Sequence, residues 1–151
     1  MVSRRTVEPV ERVRGMLDQL PDAAERMNDI AAVLQRHFEQ SGFRPVHAPI
    51  LEFSELFLRK SGADVVSKMY TFTDHGGRRV CLRPEVTAPV VRLFVNHAHE
   101  VPLPARLWYR GAAFRYEKPQ RGRYRQFTQM GVELLGAPPG FADAEVIALA
   151  C

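Results

Sequence analysis

The chain reads as an α+β domain in which helices flank an antiparallel sheet. Three observations predict it. Two runs, 107–117 and 125–135, alternate in character with period two, the mark of strands with two unlike faces. Met27, Ile30, Ala31, Leu34 and Phe38 recur at helical spacing. Short strand-like runs at 69–73 and 79–82 flank Asp74-His75-Gly76-Gly77, so consecutive strands are joined by a tight turn and pair antiparallel. The length of 151 residues predicts one domain, 1–151, large enough to bury a core.

In chain order, residues 1–13 read as a loosely tied arm. Gly15 and Pro21 punctuate the segment VRGMLDQLP. Asp22 then offers an N-cap, with Glu25 three residues on as a capping box. Gly42 closes that helix as a left-handed C-cap. FRPVHAPI, 43–50, is extended, and its prolines Pro45 and Pro49 place it at a sheet edge. A short helix is expected over 52–60, with Phe53, Leu56 and Phe57 on one side. After the small hairpin, Arg83-Pro84-Glu85 leads into a helix that Thr87 can cap. Pro89 is tolerated in its first turn, and Val90, Val91, Phe94, Val95 and Ala98 form the buried side. His97 and His99 fall at its end. FADAEVIALAC, 141–151, reads as the opening of an apolar-faced helix.

The two long runs carry the chemistry. One face of the first holds Leu107, Tyr109, Gly111, Ala113, Arg115 and Glu117. In the second, Thr128, Met130, Val132 and Leu134 suit a core, while Arg125, Phe127, Gln129, Gly131, Glu133 and Leu135 share the other face. A face that met only solvent has no use for Phe127, and one that met only a core would not carry Glu133 unpaired. The mixture suits the floor of a site for a small polar ligand bearing an amine or cation, with room over Gly131 for a ring. Between Arg106 and Arg125 there are six Arg and one Lys against one Glu, which suits phosphate. The same loop also reads as a solvated hairpin tip, and Glu85 as a helix-dipole residue.

Composition narrows the partners. The formal net charge of +4 weakly favours a polyanion. No apolar run is long enough to span a bilayer, and the charged N-terminus is no secretory signal. Two cysteines, Cys81 and Cys151, make no disulfide framework, which fits a reducing cytoplasm. Neither they nor the five histidines have metal-ligand spacing, so no protein-held metal is expected. There is no Gly-rich phosphate loop, so a bound nucleotide would have to be held by arginines.

Taken together these stretches resemble the class II aminoacyl-tRNA synthetase core, specifically the histidyl-tRNA synthetase family. VRGMLDQLP is similar to that family's amino-terminal signature. The first helix with FRPVHAPILE resembles motif 1, the dimer-forming element, ending at Pro49. LRPEVTAPVVR, 82–92, resembles the family's histidine-binding segment. FRYEKPQRGRYRQFTQMGVELLG, 114–136, resembles motif 2 with the family's GRYRQF extension, and it is the most specific match.

The resemblance implies roles residue by residue. Arg115 would hold the α-phosphate of ATP and the substrate carboxylate, and is the expected catalytic residue. Glu117 would face the adenine amino group, Phe127 would stack on the ring, and Arg123 would reach the outer phosphates. Glu85, Thr87 and Gln129 would bind the α-amino group of L-histidine, and Glu133 its imidazole. Mg²⁺ would arrive with ATP. Gln120 and Arg121 would lie near the acceptor end of tRNA(His). The resemblance also implies a cytoplasmic homodimer. It stops before the family's second histidine-binding segment, motif 3 and the anticodon-binding domain. The chain is therefore expected to be a truncated, amino-terminal part of a synthetase that does not form histidyl-adenylate by itself at a useful rate. Thr128 and TAPVVR also resemble a paralogue, the regulatory subunit that acts with an ATP phosphoribosyltransferase catalytic subunit. A non-catalytic fragment with this fold is the third alternative.

Overall fold

A computed structural model describes residues 8–59, 62–118, 120 and 122–150 of the chain. Helix α1 spans Pro21–Gln40. Its N-cap is Leu20, and no side chain caps it, so the expected Asp22 cap is corrected. Pro21 is the reason: its fixed φ suits the first helical position, which starts the helix two residues too early for Asp22 to cap it. Asp22 instead sits in the first turn, where its charge suits the helix dipole. The other end is as expected. Gly42 adopts φ 82°, its N–H bonds Glu39 O at 3.0 Å, and the Phe43 N–H bonds Phe38 O at 3.0 Å. This is a Schellman closure, and the buried Phe38 and Phe43 supply its apolar contact.

The remaining elements are β1 (Arg44–Pro45), β2 (Leu51–Phe53), α2 (Glu55–Leu58), α3 (Ala63–Ser67), β3 (Tyr70–Thr73), β4 (Arg79–Leu82), α4 (Thr87–Asn96), β5 (Ala105–Phe114), β6 (Gln126–Leu135) and α5 (Phe141–Ala150). They form two three-stranded sheets, β1-β5-β6 and β2-β4-β3. The α+β class with antiparallel pairing holds, with one exception. β1 runs parallel to β5, with Arg44 opposite Leu107, because the intervening elements return the chain to β1 by a long crossover. Pro45 sits at the sheet edge, as its missing N–H requires.

Two helix boundaries differ from expectation. Glu52 and Phe53 belong to β2, paired with Cys81 and Val80, so cross-strand pairing overrides the helical pattern there. Lys60 lies outside the described residues. In α4, Thr87 is the first helical residue rather than the cap, which is Val86. Val90 is fully buried and Phe94 packs on the same core. Val91 and Val95, each one residue further round the helix, face outward, and Ala98 lies past the helix end.

The β5–β6 hairpin separates two apolar clusters. Leu107 and Tyr109 pack with Val86 and Val90 on one face. Trp108 packs with Phe38 and Phe43 on the other, joined by Met130, Val132 and Leu134. That second set is the core face expected from alternation; Thr128, also placed on it, is exposed. Helix α5 is tied to the hairpin by a two-pronged ion pair from Arg106 to Glu145, at 2.9 and 3.0 Å, and to α1 by a His37 Nε2–H bond to Leu149 O at 3.0 Å.

Candidate functional site on the long hairpin

Residues 83–87 cross one hairpin face, and Arg83, Pro84, Val86 and Thr87 each meet a specific partner there. The Arg83 carbonyl accepts from the Phe114 N–H at 2.9 Å. The Arg83 guanidinium donates to Ala112 O and Ala48 O, both at 2.7 Å, which ties β5 and the 46–50 connection to the segment. The Pro84 carbonyl accepts from Arg115 Nε at 2.9 Å. The Val86 N–H donates to Gln129 Oε1 at 3.0 Å. Thr87 Oγ1 stands 3.2 Å from Tyr109 Oη. Thr87 is thus freed from capping and turned toward the hairpin.

Here the structure brings Thr87, Gln129 and Glu133 together around Tyr109. Gln129 Nε2–H donates to Tyr109 Oη at 3.3 Å, so both ends of this amide are engaged within the protein. Glu133 is half-buried on the same face. Burial pushes its carboxyl above the ordinary carboxylate range, the hydroxyls of Thr87 and Tyr109 pull it back as hydrogen-bond donors, and the Glu85 charge raises it further. Burial likewise raises the Tyr109 phenol, with Glu133 and Glu85 adding to it. The result is a partly desolvated, negative corner, suited to an amine or a ring N–H. One expectation is corrected. The space over Gly131 does not await a ligand ring: a Cβ there would meet Tyr109 Oη at 2.7 Å, because the protein's own ring fills it.

The second half of the site lies just beyond the strand ends. Arg115 and Glu117, expected as part of the first run, follow β5 rather than belong to it. The Arg115 guanidinium lies over the Phe127 ring, 5.2 Å from its centroid. The Glu117 carboxylate is largely shielded and flanked by two cations, Lys68 Nζ at 3.6 Å and Arg123 Nη1 at 3.3 Å. Arg123 itself is exposed. Since Arg115 also holds the Pro84 carbonyl, it links this half to the Glu133 corner. Phe127 offers a flat apolar face, and Arg115 and Arg123 offer forks for phosphate oxygens, so the residues present fit a nucleotide.

The remaining candidates are placed unevenly. Gln120 is exposed at the loop tip, bridged to Arg123; Arg121 lies outside the described residues. The expected arginine cluster is dispersed. Arg106 engages Glu145, and Arg110 donates to Asn28 at 3.0 Å, both on the α1 and α5 side of the hairpin. Alternation sends these even-numbered residues to the opposite face. Arg125 turns to the N-terminal segment, as its Nη1 bond to Arg14 O shows. An open cleft of about 660 Å³ on the α1 face, lined by Leu17, Met27, Tyr124 and Gln126 among others, touches only Phe127 of the predicted site. Among the described residues no group of three or more His, Cys, Asp or Glu could hold a metal, and no helix is long and apolar enough to cross a membrane.

Sequence reasoning placed Tyr109 on the right face without assigning it a role, and missed Lys68 and Arg83. Tyr109 was findable, since a phenol opposite a glycine in an antiparallel register sits over it. Lys68 had no signal, because only the fold brings it to Glu117.

Known proteins give the arrangement a context. The family model described as histidyl-tRNA synthetase matches residues 15–151. The histidine–tRNA ligase of Archaeoglobus fulgidus is 50% identical over 141 residues, covering 93% of this chain and 34% of that protein. Apo histidyl-tRNA synthetase of S. aureus superimposes with a TM-score of 0.79 at 36% identity, covering 94% of this chain and 33% of that one. A Bacillus halodurans protein described as an ATP phosphoribosyltransferase regulatory subunit/histidyl-tRNA synthetase gives a TM-score of 0.83 at 30% identity, covering 95% of this chain and 37% of its own. The chain thus spans about a third of the length of the curated relatives it matches. With the family model covering nearly the whole chain, and the signature residues assembled on one hairpin face, this chain belongs to the histidyl-tRNA synthetase family.

Proposed function

We propose that the chain supplies part of the site in which L-histidine is activated by ATP to histidyl-adenylate and then transferred to tRNA(His). The observation that carries this is the placement of a half-buried carboxylate, Glu133, on the same hairpin face as Phe127, with Arg115 stacked on that ring and joined to the Pro84 carbonyl. In the reaction a histidine carboxylate oxygen attacks the α-phosphorus. The new P–O bond forms as the bond to the β-phosphate oxygen breaks, and pyrophosphate leaves.

The residues divide the work. Glu133 accepts from an imidazole N–H and leaves itself unpaired against an apolar competitor, which gives selectivity. Glu85, Thr87 and the spare lone pair of Gln129 Oε1 receive the α-ammonium group. Arg115 neutralises charge that grows on the α-phosphate, where a preformed donor acts most strongly. Phe127 stacks the base and Glu117 accepts from its amino group. Arg123 reaches the outer phosphates once it leaves Glu117, whose charge Lys68 continues to balance. Mg²⁺ bound to the phosphates would supply Lewis-acid polarisation. Gln120 and Arg121 meet the acceptor end of the tRNA.

A homodimer formed through α1 and β2 belongs to this proposal. Ile30, Val33 and Leu34 on α1 and Leu51 and Phe53 on β2 are exposed, and an exposed apolar face of this kind favours a partner. Sedimentation at high micromolar concentration checks it: a clean monomer speaks against the dimer.

The functional test is calorimetric titration of histidine and of ATP into the chain. Binding of both ligands, with ATP affinity lost in Arg115→Ala, supports the proposal, and a parent that binds neither overturns it. The Bacillus halodurans likeness supports a second reading, a histidine-sensing subunit acting on an ATP phosphoribosyltransferase catalytic subunit. On that reading histidine binds but ATP affinity does not depend on Arg115, and Arg115→Ala leaves histidine inhibition of the partner unchanged.

A further inference from the structure

We propose that Tyr109 is a positioning residue for amino-acid specificity: its hydroxyl, seated over Gly131, holds Glu133 and Gln129 in the pose that reads a ring N–H. The proposal rests on the reading of Glu133 as the imidazole acceptor.

Three geometric facts carry it. Tyr109 and Gly131 are register partners across the hairpin, and only a residue without Cβ lets the phenol lie back over β6. The Tyr109 oxygen already accepts from Gln129 Nε2–H at 3.3 Å, and Gln129 Oε1 is fixed by the Val86 N–H at 3.0 Å. The amide therefore cannot flip without losing the bond from the Val86 N–H, which can only donate. Gln129 and Glu133 flank Gly131 two residues to either side on the same face of β6, so the hydroxyl over Gly131 stands between them. With its oxygen accepting from Gln129, its O–H is left for Glu133 or for Thr87 Oγ1, 3.2 Å away.

The consequence is chemical. Burial drives Glu133 toward its neutral form, and the Glu85 charge pushes the same way; the hydroxyls of Tyr109 and Thr87 oppose both. These are the charged and polar groups that bear on Glu133 from β5, from the 83–87 segment and from the start of α4. A neutral Glu133 would offer an O–H where the ligand needs an acceptor. Tyr109 thus keeps the acceptor charged and aimed, without needing to touch histidine.

The experiment compares the parent full chain with Tyr109→Phe, which keeps the ring and removes only the hydroxyl. Two readouts are taken: the carboxyl carbon of Glu133 titrated by ¹³C NMR without ligand, and histidine and ATP affinities by calorimetry. The expected result is a Glu133 midpoint moved to higher pH. It is accompanied by a 2- to 10-fold (order-of-magnitude) loss of histidine affinity, the loss expected for about one neutral hydrogen bond, with ATP affinity unchanged. Gly131→Ala, which displaces the ring with its hydroxyl intact, should move the midpoint the same way. An unchanged midpoint in both variants overturns the proposal, even if their melting temperatures fall. A midpoint that rises in the variants while the parent binds no histidine upholds Tyr109's hold on Glu133 and overturns the imidazole reading instead.

Discussion

The Tyr109 hydroxyl lies 2.7 Å from where a Gly131 Cβ would stand, so the floor of the candidate pocket is closed by an interlock between two cross-strand partners. Adding one methyl forces the ring or the backbone to move. Gly131→Ala is expected to destabilise the fold by about 1–3 kcal/mol, the usual range for an overpacked site. Denaturant unfolding checks this; a variant as stable as its parent would mean that the ring swings away at no cost.

A second interlock joins the two sheets. Arg83 is 4% exposed, and its guanidinium serves carbonyls on the 46–50 segment and on β5. Gly111 makes room for it, since a Cβ there would collide with Arg83 Nη2. Replacing Arg83 by Met keeps much of the volume but strands these carbonyls. It should cost about 3 kcal/mol or more, because buried unpaired polar groups bear their full desolvation penalty. A loss below about 1 kcal/mol in chemical denaturation would show that water replaces the arginine.

Glu133 links pH to stability. Burial raises its folded-state pKa above the unfolded one, so the folded protein holds this proton more tightly. Its contribution is therefore least unfavourable in acid. It turns against folding as pH rises from the ordinary carboxylate range through the raised folded value. Glu133→Gln removes that penalty. The variant should melt higher than the parent near neutral pH, with the difference shrinking in mild acid. Thermal scans across that window check the sign; a difference that grows in acid contradicts it.

Arg125 latches the N-terminal segment to the motif 2 loop. Its N–H donates to Gly15 O at 2.7 Å, its guanidinium bonds Arg14 O and Glu117 O at 3.0 and 3.1 Å, and it lies 4.0 Å from the Tyr116 ring centre. Gly15, at φ 85°, leaves the space it occupies. Arg125→Ala should speed amide hydrogen exchange around residues 14–16 and 115–117 while leaving α4 protected. Unchanged exchange at both segments would show that the backbone bond alone holds the latch.

Signals confined to neighbouring residues were legible in the sequence. Period-two alternation placed Trp108 and Tyr109 on opposite faces, and Gly42 marked the end of α1. The grouping of Gln129 with Glu133 also followed from alternation, and the family resemblance gave the hairpin its reading. What was hidden depends on contacts far apart in the chain. Lys68 reaches Glu117 only because α3 leads into β3 beside the hairpin end. Thr87 reads as a cap until Tyr109 gives its hydroxyl another partner. The arginine cluster looked continuous because composition ignores the two faces that alternation then separates.

The most direct measurement is calorimetric titration of histidine and of ATP into the full chain and its Glu133→Gln variant. A charge-assisted bond to the imidazole is worth about 1.5–3 kcal/mol, so histidine affinity should fall roughly 10- to 100-fold while ATP affinity holds. If Glu133→Gln binds histidine as tightly as the parent, Glu133 is not the imidazole acceptor, and the pocket is wrongly centred.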